Sequence, residues 1–178
     1  KPGSDRITTA ALAANLSVSE AALYRHFASK AQMFEGLIDF IEQTVFGLVQ
    51  QVAGREGEPL ECTPEDGARR AARIVALLLQ FAERNPGMVR VLVGDALLLE
   101  HDRLQARMNQ FFDRIESTLR QCLRPAAGAL GSSTPTVDAQ VAASVLMSFV
   151  QGRLQRYVRT GFRRQPTEHL DASLAMLI

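Results

Sequence analysis

The spacing of the apolar residues constrains this chain most, because they recur every three or four positions along almost its whole length. Alternation rich in Val, Ile and Thr, which is typical of strands, nowhere extends beyond a few residues. Helix start signals agree with the spacing, since Thr63, Asn85 and Thr134 are N-cap residue types that are each followed by a proline. Ser29 is a fourth residue of cap type. The sequence therefore predicts an all-α fold.

Periodicity and cap residues together predict eight helices. Gly, Pro and Ser predict linkers at Gly54 to Pro59 and at Pro125 to Pro135, because these residues favour turns. We expect helices at Thr9 to Asn15, Ser19 to Phe27, Lys30 to Ala53, Pro64 to Arg84, Pro86 to Val93, Ala96 to Leu123, Thr136 to Thr160 and Leu170 to Ile178. We divide the chain into a helix-turn-helix DNA-binding domain at residues 1–29, here named the head, to which the start of the following helix is added, and a helical core and dimerisation domain at residues 30–178.

Composition excludes several classes of protein. Hydrophobic residues make up 47% of the 178 residues, which is ordinary for a soluble globular chain, and the longest aliphatic run, Ile74 to Leu79, is too short to span a membrane. The formal net charge of +1 means that attraction to DNA has to come from local placement of charge. Cys62 and Cys122 are far apart and form no CxxC motif, which favours a reducing cytoplasm.

Enzyme motifs are missing from the sequence. There is no GxSxG elbow, no HExxH zinc helix and no phosphate-binding loop. Glu100 and His101 would diverge by about 100° on a helix, and neither His26 nor His169 lies in a set of residues that converges. We expect no enzymatic activity, no metal and no cofactor.

Residues 8–30 have helix-turn-helix spacing: a short helix, a turn, a second short helix and a break before a long helix. The outer face of the second short helix is polar or very small, so its backbone can enter the major groove of DNA. This outer face comprises Ser19, Glu20, Ala21, Ala22, Tyr24, Arg25 and His26. We predict that the face contacts DNA and that its N-terminal residues, Ser19 to Ala22, read the bases.

Four residues at the edges of this unit suit contacts with DNA phosphates. Thr8 and Thr9 stand at a helix N-terminus, where the helix dipole favours an anion. Tyr24 and Lys30 flank the reading face with a phenol and an ammonium. The alternative is a helical corner in which Tyr24 and Phe27 simply pack.

The same residues resemble the DNA-binding region of the TetR family of bacterial regulators. The resemblance is carried by Thr8-Thr9, Leu12-Ala13, the run from Val18 to Phe27, and Ser29-Lys30. In that family a first helix precedes the helix-turn-helix, so we expect it to lie upstream of Lys1. Ser17 stands where relatives usually have glycine, and a positive φ there would cost about 1 kcal/mol of strain.

Further segments resemble the nucleoid occlusion branch of that family. They are Phe40 to Glu42, Glu83 to Gly87, Leu97 to Gln105 and Asn109 to Glu116. This resemblance implies a bacterial, cytoplasmic, nucleoid-associated protein. As a DNA-bound homodimer, it would antagonise polymerisation of the tubulin-like division GTPase FtsZ and so prevent septum formation over the chromosome.

The resemblance also implies a partner groove between the helices 30–53 and 64–84. Its residues here are Phe40, Leu77, Arg84 and Asn85, while Leu48 and Gln80 stand where relatives carry other residue types. The helix 30–53 carries one apolar stripe at helical spacing, which comprises Phe34, Leu37, Ile38, Ile41, Val45, Leu48 and Val52. Phe40 lies off this stripe, which indicates either a second packing partner or an exposed docking point. The acids beside it, Glu35, Asp39 and Glu42, are typical of a solvated face, with partner binding as the alternative.

The helix from Thr136 to Thr160 combines large apolar and small residues on one face, which suits a symmetric four-helix dimer interface. We predict Val141, Val145, Phe149, Gly152 and Arg153 in that interface.

A basic cluster follows that face, comprising Arg153, Arg156, Arg159, Arg163 and Arg164. It indicates a solvated or ion-pairing face, or else a second DNA contact. The alternative function for the whole chain is a ligand-responsive transcriptional repressor, because bodies of the TetR type commonly enclose a cavity.

Overall fold

The computed structural model describes residues 29–54, 63–97, 100 and 102–178. Every secondary-structure element longer than three residues in this part is an α-helix, which confirms the predicted all-α fold class. The helices are α1 (Lys30–Ala53), α2 (Pro64–Arg84), α3 (Pro86–Leu92), α4 (Asp102–Ala129), α5 (Pro135–Arg159) and α6 (Leu170–Leu177), with a 3-10 turn at Asp95–Leu97. None of these helices is both long and apolar enough to cross a lipid bilayer.

Local chemistry sets the starts of α1 and α2 as predicted, whereas the predicted cap residues Asn85 and Thr134 precede their helices without a side-chain cap hydrogen bond. The Ser29 hydroxyl accepts a hydrogen bond from the Gln32 amide at 3.2 Å, and the Thr63 hydroxyl accepts one from the Asp66 amide at 3.1 Å. Gly54 ends α1 at a φ of 83°, with its amide bonded to the Gln50 carbonyl. The predicted bounds of α1 and α2 are therefore confirmed, because caps and a terminal glycine are readable from sequence.

One hydrophobic core holds the helices together. The most extensive packing joins α4 to α5 and α2 to α4, and α1 lies against both α2 and α4. Phe111 of α4 is central, because its ring meets the edge of Phe46 from α1 at 5.3 Å and that of Phe112 at 5.2 Å. Such aromatic pairs add about 0.5–1.5 kcal/mol to the free energy gained by burying their surface.

The acids of α1 form ion pairs with α4, which corrects the expectation of a solvated face. Glu35 pairs with Arg103, and Arg107 pairs with both Asp39 at 2.6 Å and Glu42 at 2.9 Å. Burial lowers the pKa of the Arg107 guanidinium, but the hydrogen bonds that it donates to Asp39 and Glu42 outweigh that effect, so the pKa is raised.

Later residues of α1 pair with later residues of α4, so the two helices run parallel. We call this line of ion pairs the α1–α4 seam.

Two predicted boundaries were wrong. The helix expected to end at Leu123 continues through Pro125 to Ala129, so the first five residues of the predicted linker are helical. The φ that proline fixes is compatible with a helix, and three of the four residues that follow it in the helix are alanines, which favour a helix. It also begins later than Ala96. Gly94, at a φ of 82°, turns the chain after α3, and the 3-10 turn then occupies the residues expected to begin the helix.

Two glycines predict opposite effects of the same substitution. Gly47 lies inside α1 with open space around it, so Gly47→Ala should raise the free energy of unfolding by about 0.5–1 kcal/mol through helix propensity. Gly94→Ala should lower it by about 1–2 kcal/mol, because of its positive φ and the close Gln105 amide. Urea denaturation of both variants checks this, and a stabilised Gly94→Ala would contradict the assigned turn.

Candidate functional site

A groove of about 520 Å³ lies between α1 and α2 and contains all four residues predicted for partner binding. Its volume is within the range of about 300–1,000 Å³ that is usual for binding pockets. The lining residues are Phe40, Thr44, Leu48, Arg73, Ala76, Leu77, Gln80, Phe81, Arg84 and Asn85. That they bind a partner remains a prediction.

The α1 wall is built from residues one helical turn apart. Phe40, Thr44 and Leu48 follow each other at intervals of four, so their side chains line one face. Phe40 is 47% exposed, although α1 buries eight other residues in the core. Phe40 is thus not a core residue, and its ring is accessible on the groove.

The α2 wall presents apolar and cationic side chains along one stripe. Arg73, Leu77, Gln80 and Arg84 are spaced by three or four residues, which places the Cα atoms of the two arginines about 16 Å apart along the helix axis. Phe81 and Ala76 lie deeper, with Phe81 only 7% exposed. The groove therefore offers an apolar middle with a cation towards each end.

Asn85 closes one end of the groove at the C-terminus of α2. Its side-chain amide donates a hydrogen bond to the Phe81 carbonyl at 2.8 Å, and its backbone amide bonds to the carbonyls of Phe81 and Ala82. These bonds satisfy carbonyls that the end of a helix leaves without partners. Asn85 is therefore held in place before any ligand arrives.

A polar cavity of about 580 Å³ adjoins the groove and shares Gln80 and Arg84 with it. Its wall includes Glu83, whose carboxylate accepts a hydrogen bond from the Thr167 hydroxyl at 2.5 Å. Burial and the nearby Glu83 carboxylate raise the pKa of the Tyr157 phenol. Arg84 therefore belongs to an apolar surface on one side and a polar one on the other.

Nearly all the residues predicted to contact DNA lie outside the described residues. They are Thr8, Thr9, Ser19, Glu20, Ala21, Ala22, Tyr24, Arg25 and His26. Lys30 is described, at the first turn of α1 behind the Ser29 cap. Its ammonium lies 2.7 Å from a carboxylate oxygen of Glu100 and 5.8 Å from the centre of the Phe34 ring.

The residues predicted for the dimer interface lie on one face of α5. Val141 is 60% exposed, Val145 is also exposed, and Val137 extends the same stripe by one turn. Phe149 packs partly against the core, and Gly152 is exposed. We call Val137, Val141 and Val145 the valine stripe.

Three arginines of the basic cluster contact Glu168, a residue that sequence reasoning missed. Arg156 and Arg164 pair with Glu168 at 3.3 and 3.2 Å, and Arg153 donates hydrogen bonds to the Glu168 carbonyl and the Ser173 hydroxyl. Burial and the neighbouring Arg156 lower the pKa of Arg153. Arg164 and Glu168 lie in the connection between α5 and α6, which is not helical, so the helical i, i+4 spacing gave no signal for this pair.

The described part of the chain contains no cluster of side chains suited to binding a metal ion. Nowhere in that part do three His, Cys, Asp or Glu side chains gather so as to hold an ion.

Comparison with known sequences identifies the family. A family model described as "Tetracyclin repressor-like, C-terminal domain" matches residues 65–178, and one described as "Bacterial regulatory proteins, tetR family" matches residues 2–37. The nucleoid occlusion factor SlmA of Idiomarina loihiensis is 50% identical over 171 residues, which is 96% of this chain and 82% of that protein. The chain belongs to the SlmA branch of the TetR family.

Other SlmA proteins are similar to the same extent. Those of Photobacterium profundum and Vibrio cholerae are 50% and 47% identical, over 95% and 98% of this chain and 82% and 85% of those proteins. The family resemblance stated from the sequence is confirmed. TetR-family membership places the chain among DNA-binding regulators, a family that is not one of enzymes.

Two phenylalanines of the groove separate surface from core. Phe81→Ala should lower the free energy of unfolding by about 3–5 kcal/mol, because the buried ring would leave a cavity. Phe40→Ala should lower it by less than about 1 kcal/mol, because half of that ring is already in water. Urea denaturation of both variants measures the difference, and equal losses would make Phe40 part of the core.

Proposed function

We propose that this chain is a sequence-specific DNA-binding nucleoid occlusion factor. As a DNA-bound homodimer, it antagonises FtsZ polymerisation and so prevents septum formation over the chromosome. It works in the bacterial cytoplasm, at the nucleoid. The relatives named above are called nucleoid occlusion factors, and their similarity extends over nearly the whole chain.

DNA binding is assigned to the head, residues 1–29, together with the start of α1, and dimerisation and partner binding to residues 30–178. The tetR-family match at residues 2–37 supports the first assignment. In this proposal, Ser19 to Ala22 read bases in the major groove, while Thr8, Thr9, Tyr24 and Lys30 hold phosphates and set the register.

The groove between α1 and α2 carries the partner assignment. Phe40, Leu77, Arg84 and Asn85 are far apart in sequence, yet they line one groove. An apolar middle with a guanidinium group towards each end suits a partly extended, apolar peptide that also carries carboxylates. We assign the groove to such a tail of FtsZ, with Phe40 and Arg84 supplying most of the binding free energy.

The valine stripe supports the dimer. Three valines one turn apart are exposed on α5, the helix predicted to pair with its copy. An apolar stripe on an otherwise polar face is typical of a helix that packs against another helix.

A second candidate function has one observation in its favour. A cavity of about 340 Å³ lies among α3, α4 and α5, lined by apolar side chains such as Met108 and Phe112 and by amides such as Gln105 and Asn109. This mixture suits a small organic ligand, as a ligand-responsive repressor would need. Operator-dependent repression that a metabolite reverses, in a reporter strain, would favour this function.

Phe40→Ala and Thr8→Ala should separate partner binding from DNA binding. Phe40→Ala should abolish binding of an FtsZ tail peptide while leaving the free energy of DNA binding within about 0.5 kcal/mol, because Phe40 lies outside the proposed helix-turn-helix. Thr8→Ala should do the reverse and weaken DNA binding more than it weakens binding of the tail peptide. Fluorescence anisotropy, with the tail peptide and with operator DNA selected from a random pool, measures both.

Light scattering of FtsZ polymers extends this test to activity. Wild-type protein with operator DNA should lower the scattering, and Phe40→Ala with the same DNA should not. Parallel loss of tail and DNA binding in Phe40→Ala would show that the ring holds the fold, and the groove assignment would then be dropped.

Val141→Glu should convert the dimer into a folded monomer, because it places a charge within the proposed apolar interface. Sedimentation equilibrium at micromolar concentration measures the mass, and a thermal melt checks folding. Gln43→Glu is the control, since it adds the same charge at an exposed position of α1. A monomeric wild-type protein would refute the dimer.

A further inference from the structure

Lys30 and Glu100 form an ion pair between the start of α1 and the connection that precedes α4. The ammonium lies 2.7 Å from the carboxylate, and the two side chains are 18% and 6% exposed. Lys30 belongs to the tetR-family match at residues 2–37 and Glu100 to the C-terminal match at residues 65–178. The pair therefore joins the two family regions.

The charges of this pair are arranged in the opposite sense to those of the α1–α4 seam. Further along, α1 supplies the acids Glu35, Asp39 and Glu42, and α4 supplies the arginines. At Lys30, α1 supplies the cation instead. Among the α1 residues that form these ion pairs, Lys30 is thus the one that carries the right charge to be drawn towards DNA.

The ammonium of Lys30 is therefore subject to two attractions. Glu100 holds it within a partly desolvated pair, where electrostatic attraction is stronger than in bulk water. A DNA phosphate offers a charge-assisted hydrogen bond and the release of condensed counterions. The two anions repel each other, so the Glu100 charge opposes any phosphate that approaches Lys30.

We propose that Glu100 competes with a DNA phosphate for the Lys30 ammonium and thereby lowers the affinity of the protein for DNA. This inference rests on the proposed DNA binding by the head. In the free protein the pair fixes the first turn of α1 to the body. In the complex the ammonium turns to the phosphate, and that fixed contact is weakened.

Substitution of Glu100 tests the competition directly. Glu100→Gln keeps the size of the side chain and removes its charge, so affinity for a fluorescein-labelled DNA duplex of mixed sequence at low salt should rise roughly three- to tenfold. A mixed sequence suffices because phosphate contacts are independent of sequence. A thermal melt verifies that the variant is folded.

Glu35→Gln is the matched control. It removes the same charge from a neighbouring pair of the seam, but frees no cation on α1. Its affinity for the duplex should change by less than twofold. An equal gain in both variants would reduce the effect to overall charge and overturn the competition.

Lys30→Ala completes a double-mutant cycle. It should weaken binding to all sequences and lower the salt slope by about one unit. Adding Glu100→Gln to Lys30→Ala should bring no further gain, because no ammonium remains to be released. Unchanged or weaker binding in folded Glu100→Gln would overturn the proposal.

A measurement on the unmutated protein guards against a folding defect in Glu100→Gln. Lys1 and Lys30 are the two lysines of the sequence. The side-chain ammonium resonance of ¹⁵N-labelled Lys30, assigned by its loss in Lys30→Ala, should shift when DNA is added, and an unmoved resonance would overturn the exchange. Absence of DNA binding by the wild-type protein would instead refute the proposed function. Titration of the wild-type protein with the labelled duplex distinguishes this result from failure of the competition.

Discussion

The position of α1 governs most of what this molecule presents to its surroundings. One side of the helix is fixed to α4 by the ion pairs of the α1–α4 seam and by the Phe46 and Phe111 rings. Another side faces α2 and forms a wall of the groove, and its first turn continues from the head. Exposed ion pairs contribute only about 0–1 kcal/mol each. Their effect here is to set the register of two parallel helices, because a shift by one residue would separate the partners.

Sequence reasoning succeeded where local signals decide the structure. Caps at Ser29 and Thr63 and the terminal Gly54 act within four residues, so the bounds of α1 and α2 were predictable. It failed where distant residues decide. The partners of Asp39 and Glu42 lie on α4, more than sixty positions away, and no local pattern reveals them.

The same limit explains the apolar face of α1. Sequence spacing placed Leu37, Leu48 and Val52 on the buried stripe, but these residues are only partly buried, and Met33, Phe46 and Val49 are buried instead. A helix that contacts two neighbouring helices buries a wider sector of its surface than a single stripe, and the centre of that sector is rotated away from the stripe. The groove residues were named through family resemblance, and Leu48 lines the groove because it lies at the edge of that sector.

The separation of the groove from the valine stripe has a consequence for binding to a filament. The groove is lined by α1, α2 and Asn85, whereas the stripe belongs to α5, so the proposed dimer would carry two grooves. A filament presents many identical tails, and once one tail is bound the second is held at a high effective concentration. Avidity would then let a weak groove distinguish polymer from free subunits, and the spacing between the two grooves would set which filament geometry is captured.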